Sequence, residues 1–390
     1  MSAIDHIRTF HDELTAIRRD LHAHPEIGFE EHRTSDIVAT LLQAWGIEVH
    51  RNIGGTGVVG VLRKGNGEMA IGLRADMDCL PMEETNSFAH RSTIPGRMHA
   101  CGHDGHTTML LGAARHLAEN GDFNGTVNFI FQPAEEGVGG AQAMLKDGLF
   151  QRFPCNFVYG MHNRPGLPVG QFAIRPGPMM ASGAFFDIEI TGRGAHGARP
   201  EGSIDPVVVA TQIHIAFQSI VARNISPADT AVLSVTRIEG GDAYNVIPQT
   251  AWLRGTARTM KRATMELIET TMRRLAEHIA QGYGATATMD FRLLFAPTIN
   301  DPAETDAIIK AASTVVGREN VEANGPLVMG SEDFSFMLEA VPGAYINIGN
   351  GDTHGAVPVH NPAYEFNDDA IPIGAAMFAE LVAQKLPRGL

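Results

Sequence analysis

Short, nearly all-apolar runs alternate with helical stretches along the first 160 residues, and that alternation restricts the fold more than any other feature of the chain. The runs cover residues 58–62, 70–73, 127–131 and 157–161, and helical spacing is predicted over 107–119 and 140–146, each stopping at a glycine, Gly121 or Gly148. Strands that are apolar throughout, rather than on alternate residues, must be covered on both faces, so the pattern predicts a mainly parallel, doubly covered sheet of the α/β class. Before it, Ile4, Ile7, Phe10, Leu14, Ile17 and Leu21 form one helical stripe, and a second helix carries Ile37, Val38, Leu41, Leu42 and Trp45 with Thr34 as its cap.

The rhythm changes at about residue 184. A strand over 185–191, a long apolar helix over 206–222, strands over 231–238 and 250–257, a helix over 263–281 and a strand over 285–291 give the order β-α-β-β-α-β, the split unit of a ferredoxin-like layer. The first style resumes from about residue 300. At 390 residues two or three domains are expected. The pattern divides the chain into a discontinuous larger domain, 1–183 with 295–390, and an inserted α+β domain, 184–294.

A formal charge of −14 repels a phosphate backbone and argues against nucleic acid as a partner. No apolar stretch reaches membrane-spanning length, and charges scattered through the first 24 residues do not read as a secretion signal. Three cysteines, Cys79, Cys101 and Cys155, make no disulfide framework, so a reducing, cytoplasmic setting is expected. Histidine is abundant: 17 residues against 5 Tyr and 2 Trp, which points toward metal or acid–base chemistry.

The densest polar stretch is Met98-His99-Ala100-Cys101-Gly102-His103-Asp104-Gly105-His106. Cys101 and His103 are two positions apart, so in extended backbone both project to one side and can reach the same ion or two adjacent ions. Asp76 and Asp78, Glu135 and Glu136, and His162 each stand at the end of a predicted strand, where open α/β sheets bind their ligands. His360 lies far downstream in Val357-Pro358-Val359-His360-Asn361-Pro362, where prolines predict a stiff extended segment. Together these residues supply one thiolate, several imidazoles and two carboxylates, enough for two ions. Adjacent glutamates project differently in extended chain, so one can bind metal while the other faces the attacking water as a base.

The runs Arg74-Ala75-Asp76-Met77-Asp78, Leu80-Pro81-Met82, Met98 to His106, Phe131-Gln132-Pro133-Ala134-Glu135-Glu136-Gly137 and Gly192-Arg193-Gly194-Ala195-His196-Gly197 closely resemble the dinuclear metallopeptidase family of aminoacylases and glutamate carboxypeptidases, in its amidohydrolase branch of hippurate hydrolases, N-acyl-amino-acid deacylases and auxin-conjugate hydrolases. The resemblance extends from about Arg18 to about Phe366. It implies a metal-binding catalytic domain with an inserted lid or dimerisation domain, and a homodimer. Cys101 would bridge two divalent ions, with His103, Glu136, His162 and His360 completing the sites and Glu135 as general base and acid. His196 would help hold the oxyanion from the partner subunit, and Asn245 and Arg258 would contact substrate. Arg74 stands where other branches carry a metal-binding histidine, so Asp76 is expected to orient a ligand rather than bind metal. Glu332, in Gly330-Ser331-Glu332-Asp333-Phe334, matches another family motif without an assigned role, and Cys79 has none.

The implied reaction is hydrolysis of the amide of an N-acyl amino acid. Zn²⁺, Mn²⁺, Co²⁺ and Ni²⁺ all suit this donor set. Three other readings stay open: a dipeptidase or carboxypeptidase using the same site, a thiol hydrolase with Cys101 as nucleophile, and a non-catalytic binding protein on the same scaffold.

Overall fold

The computed structural model describes residues 1–353 and 355–388. The chain divides into two compact units, one of residues 1–179, 299–326 and 333–390, the other of 180–298 and 327–332. Each has its own apolar core.

The larger unit is built on an eight-stranded sheet in the order Glu48–Ile53, Gly57–Lys64, Gly125–Gln132, Ala70–Asp76, Phe157–Pro165, Gly343–Gly351, Phe172–Ala173, Val321–Glu322. Its four central strands, from Gly125–Gln132 to Gly343–Gly351, run parallel. Ala70–Asp76 is buried at every residue, as the unbroken apolar run requires. The run over 58–62 departs from the parallel expectation: Gly57–Lys64 pairs antiparallel with both Glu48–Ile53 and Gly125–Gln132. Only three residues, 54–56, connect it to Glu48–Ile53, far too few for the crossover that a parallel pair needs, so those two strands form a hairpin instead.

Helices Pro302–Val316, Ile371–Lys385 and His103–Asn120 pack successively against one another. The N-terminal stripe is split rather than continuous, into Ala3–Arg8 and His11–Ala23. Thr9 closes the first piece by bonding His6 O through both its amide and its hydroxyl, an alternative to continuing the helix. In the second helix, Thr34 lies inside His32–Ala44 and Glu31 occupies the N-cap position.

The smaller unit holds a four-stranded antiparallel sheet in the order Ala231–Gly240, Thr250–Thr259, Ser182–Thr191, Thr286–Phe295. This is the ferredoxin-like order, with helices Pro206–Asn224 and Arg262–Gly282 supplying the two crossovers. Met265, Ile268, Met272, Ala276 and Ala280 recur every three or four residues along the second helix and are buried. They meet Phe186, Ile188 and Ile190, the inward residues of Ser182–Thr191. The alternate residues face out: Phe185 is exposed, and Asp187 pairs with Arg254 and Arg292 across neighbouring strands. The fold is thus α/β, a mainly parallel sheet covered by helices, interrupted by a ferredoxin-like α+β segment.

Candidate metal centre

The centre assembles where strand ends of the large sheet meet the start of helix His103–Asn120. That helix begins a turn earlier than its apolar spacing predicts, because its first turn is polar yet buried. Gly102 precedes it in the left-handed region, at φ +95. A Cβ on Gly102 would come within 2.3 Å of Asn163 Oδ1 and 2.6 Å of the Tyr364 hydroxyl, so both conformation and space demand glycine. Cys101 and His103 therefore converge through a glycine turn into a helix rather than through strand alternation. His103 and His106, three apart on that helix, place their rings 5.5 Å from each other.

His162 lies within strand Phe157–Pro165 rather than beyond it, since pairing with Gly343–Gly351 carries the strand on to Pro165. Its Nε2 stands 3.3 Å from Cys101 Sγ, while Nδ1 donates to the Asn163 carbonyl at 2.7 Å. His103 is held in the same way: Nδ1 faces Asp78 O at 2.9 Å and Asp78 Oδ1 at 3.1 Å, leaving Nε2 for another partner. Fixing one ring nitrogen with an acceptor is how proteins aim the other at a metal.

His360 departs from the stiff extended segment expected there. It sits in a turn at φ +63, its N–H donating to Ala100 O at 2.7 Å, and its Nε2 lies 3.3 Å from Glu136 Oε1. Unlike Cys101, His103, Glu136 and His162 it is exposed. Glu135 and Glu136 also break with expectation, because both occupy a turn that follows left-handed Ala134 (φ +52), and both carboxylates reach toward His103. Glu135 is buried and accepts from Asp333 N–H at 3.4 Å. The Glu136 amide donates to Asp78 Oδ2 at 2.9 Å.

Ligand atoms thus fall into two sets sharing one sulfur: Cys101, His103 and His162, and Cys101, Glu136 and His360, each within 4.8 Å of one another. Glu136 Oε1 is enclosed and faces the His360 ring at 3.3 Å, and His103 Nε2 is enclosed without a hydrogen bond among the described residues. Buried polar atoms are rarely left so. Thiolate, imidazole and carboxylate are donors that suit divalent ions, so the residues present would fit two, one at each set.

A third set, Asp76, His103 and His106, is of similar size but already occupied by protein. Asp76 Oδ1 bonds His106 Nδ1 at 2.6 Å, Asp76 Oδ2 accepts from Arg74 at 2.7 Å, and His106 Nε2 meets Asn163. Arg74 also reaches Gln132 at 2.8 Å and Asp333 at 3.3 Å. Burial opposes the charge on Asp76, but His103, His106 and Arg74 outweigh it and hold the carboxyl well below its usual range. For His103 burial works against the cation, yet Asp76, the Cys101 sulfur and Asp78 hold it well above normal. His162 goes the other way, burial and the neighbouring His106 pushing it well below.

The remaining candidates lie in the smaller unit. His196 is exposed in the two-residue strand Ala195–His196, paired with Val246–Ile247, and its Nδ1 accepts from Ala198 N–H at 3.1 Å. Asn245 immediately precedes that partner strand, and its carbonyl accepts the Gly197 N–H at 2.7 Å, so the two residues lie on one small antiparallel strand pair. Arg258 is half-buried on Thr250–Thr259, bonding Thr256 and the Ala257 carbonyl, and burial lowers its pKa. Glu332 is buried.

Sequence reasoning gave no task to Asp78, which touches both His103 and the Glu136 amide, nor to Asn163 and Asp333. The signal for Asp78 was its position two residues past Asp76 at a strand end.

The sequence pattern of Peptidase family M20/M25/M40 matches residues 72–384. This chain belongs to that family. A hippurate hydrolase of Campylobacter jejuni is 40% identical over 386 residues, 99% of this chain and 100% of the relative. An IAA-amino acid hydrolase, ILR1-like 4 of Arabidopsis thaliana, is 38% identical over 384 residues, 97% of this chain and 86% of its own. Among solved structures, the Bacillus subtilis YXEP protein, described as a dinuclear metal-binding M20 peptidase, superposes with a TM-score of 0.83 at 35% identity, covering 96% of this chain and 98% of that one. This M20 protein is an amidohydrolase, and its chemistry is metal-dependent amide hydrolysis. Among the described residues no helix is long and apolar enough to cross a membrane.

Proposed function

We propose that this protein hydrolyses the amide of N-acyl amino acids, releasing a carboxylic acid and a free amino acid. The observation that carries the reading is the pair of donor sets joined at Cys101, beside a buried carboxylate that neither set uses. Cys101, His103 and His162 would hold one ion, and Cys101, Glu136 and His360 the other. When bound, two divalent ions supply Lewis acidity toward a carbonyl and lower the pKa of water toward about 7. Zinc, manganese, cobalt and nickel all suit the thiolate, imidazole and carboxylate donors.

Glu135 is the proton carrier: it takes a proton from the attacking water and returns it to the leaving amine. Asp76 orients rather than binds, since both its oxygens are engaged by His106 and Arg74. His196 would stabilise the developing oxyanion from the partner subunit of a homodimer. Asn245 and Arg258 would contact the substrate carboxylate, for which a guanidinium fork is suited. The protein would work in the cytoplasm, with the inserted unit serving as lid and dimerisation element. Relatives are named for hippurate, for IAA-amino acids and for N-acetylcysteine, which supports N-acyl amino acids as the substrate class.

Turnover of benzoyl-, acetyl- and indole-acetyl-amino acids and of dipeptides by the metal-loaded protein tests the substrate class. N-acyl amino acids should lead, and faster cleavage of dipeptides would give the peptidase reading instead. Glu135→Gln should cost at least 10²-fold in kcat while metal content is kept, and near-normal turnover would remove Glu135 from its role.

A further inference from the structure

Glu31 occupies the N-cap position of helix His32–Ala44, but its side chain does not cap it. The residue is fully buried, and its carboxylate turns instead toward the glutamate pair. One oxygen accepts the Ala134 N–H at 2.8 Å, and the other accepts the Thr56 hydroxyl. Thr56 is fixed in turn, its carbonyl accepting from the Ser35 hydroxyl.

Ala134 is the residue on which the direction of Glu135 depends. A left-handed conformation costs a residue with a Cβ about 1–2 kcal/mol, so something must hold it there. Three groups do. Glu31 binds its N–H, the Gly140 N–H donates to its carbonyl at 2.9 Å, and Gly28 lies so close that a Cβ there would meet Ala134 Cα and Cβ at 3.0 Å. On the far side of Glu135, the Glu136 N–H is held by Asp78. Glu135 therefore projects from between two backbone amides, each anchored on a buried carboxylate. Burial pushes the Glu31 carboxyl up to about 7, the Thr56 hydroxyl pulling against that and the charge of Asp78 adding to it. An apolar residue would avoid that cost, so a carboxylate here marks a turn that has to be held by its amide.

We propose that Glu31 is a positioning residue for amide hydrolysis: by holding Ala134 in the left-handed conformation, it fixes where the Glu135 carboxylate points. The proposal rests on Glu135 being the proton carrier. A shift of about 1 Å in a reacting group can cost about 10²-fold in rate, and an unpaired Ala134 amide leaves the turn free to move by that much.

The test uses the full-length, metal-loaded protein and the best substrate of the panel. Glu31→Ala should lower kcat by about 10–100-fold, leave KM within about threefold, and leave bound metal per chain unchanged. Glu31→Gln keeps an oxygen for the Ala134 N–H and gives an amide to Thr56, so it should restore kcat to within about fivefold of the parent. A role confined to stability would lower the melting temperature of the metal-free protein without that split. Normal kcat in Glu31→Ala, a Gln variant as slow as the Ala variant, or a loss that follows lost metal would each overturn the proposal. Should Glu31→Ala not fold, Thr56→Val removes the hydroxyl donor and should still slow kcat severalfold at full metal content, unchanged kcat overturning the idea. An inactive Glu135→Gln beside a normal Glu31→Ala sinks the positioning role alone, whereas an active Glu135→Gln removes the proton carrier itself.

Discussion

The two units bury different things. The larger one encloses Arg18, His22, Glu31, Arg74, Asp76, Asp78, His99, His103, Asp104 and His106, all nearly inaccessible. Among the described residues the smaller unit buries, besides its apolar core, hydroxyls such as Ser182, Thr259 and Thr271, and one carboxylate, Glu332. Enclosed charge is costly unless paired or bound to metal, so a fold accumulates it where chemistry requires it. The smaller unit keeps its own charges outside, as in the Asp187, Arg254 and Arg292 cluster on its open sheet face. Two kinds of burial predict two kinds of failure.

The largest effect should follow loss of the sulfur that both donor sets share. Cys101→Ala removes one donor from each, so the purified variant should retain well under one ion per chain and lose about 10³-fold or more in activity. Chelation of the parent protein should reproduce that loss, and re-addition of metal should reverse it. Full metal stoichiometry in Cys101→Ala would contradict a shared thiolate, and indifference to chelation would give the thiol-hydrolase reading. In the smaller unit, Phe186→Ala opens a cavity between sheet and helices and should cost about 3–5 kcal/mol, read as a fall in denaturation midpoint. Its metal content should not change. A Phe186→Ala protein that lost metal would break the contrast between the units.

How far the sequence reached follows the same division. The apolar runs and helix spacings exposed the parallel sheet, because full burial leaves an unbroken hydrophobic run that is visible locally. The ferredoxin-like order was legible for the opposite reason, since a half-covered sheet alternates. In the centre, Glu136 and His162 stood out at predicted strand ends, Cys101 and His103 in the densest polar stretch, and His360 in a proline-flanked segment far downstream. Residues that hold those donors did not. Glu31 meets Ala134 across 103 positions, and Arg74 meets Asp333 across 259, so no local pattern records either contact. The turns were misread too: extended backbone was expected around Cys101, Glu135 and His360, whereas Gly102, Ala134 and His360 all adopt positive φ. Convergence on one point requires sharp turns, and a left-handed Ala or His carries no signature in composition.

The smallest effect should come from a charged network next to the centre, and it depends on pH. His22 is buried between Asp104 at 2.8 Å and Glu84 at 3.2 Å. Burial opposes its charge, but Asp104 and then Glu84 outweigh that and raise the ring to about 9. A histidine whose pKa is higher folded than unfolded adds stability that is complete below the unfolded value, about 6.5, and is lost as pH rises through about 9. The shift corresponds to at most about 3 kcal/mol. His22→Gln should therefore be less stable than the parent at pH 6 by up to that amount, and the gap should narrow steadily toward pH 9.5. Denaturation of metal-free protein at both pH values measures it. An equal gap at both would mean that His22 acts through packing, and that the larger unit's enclosed charge near Asp104 contributes nothing that protons can remove.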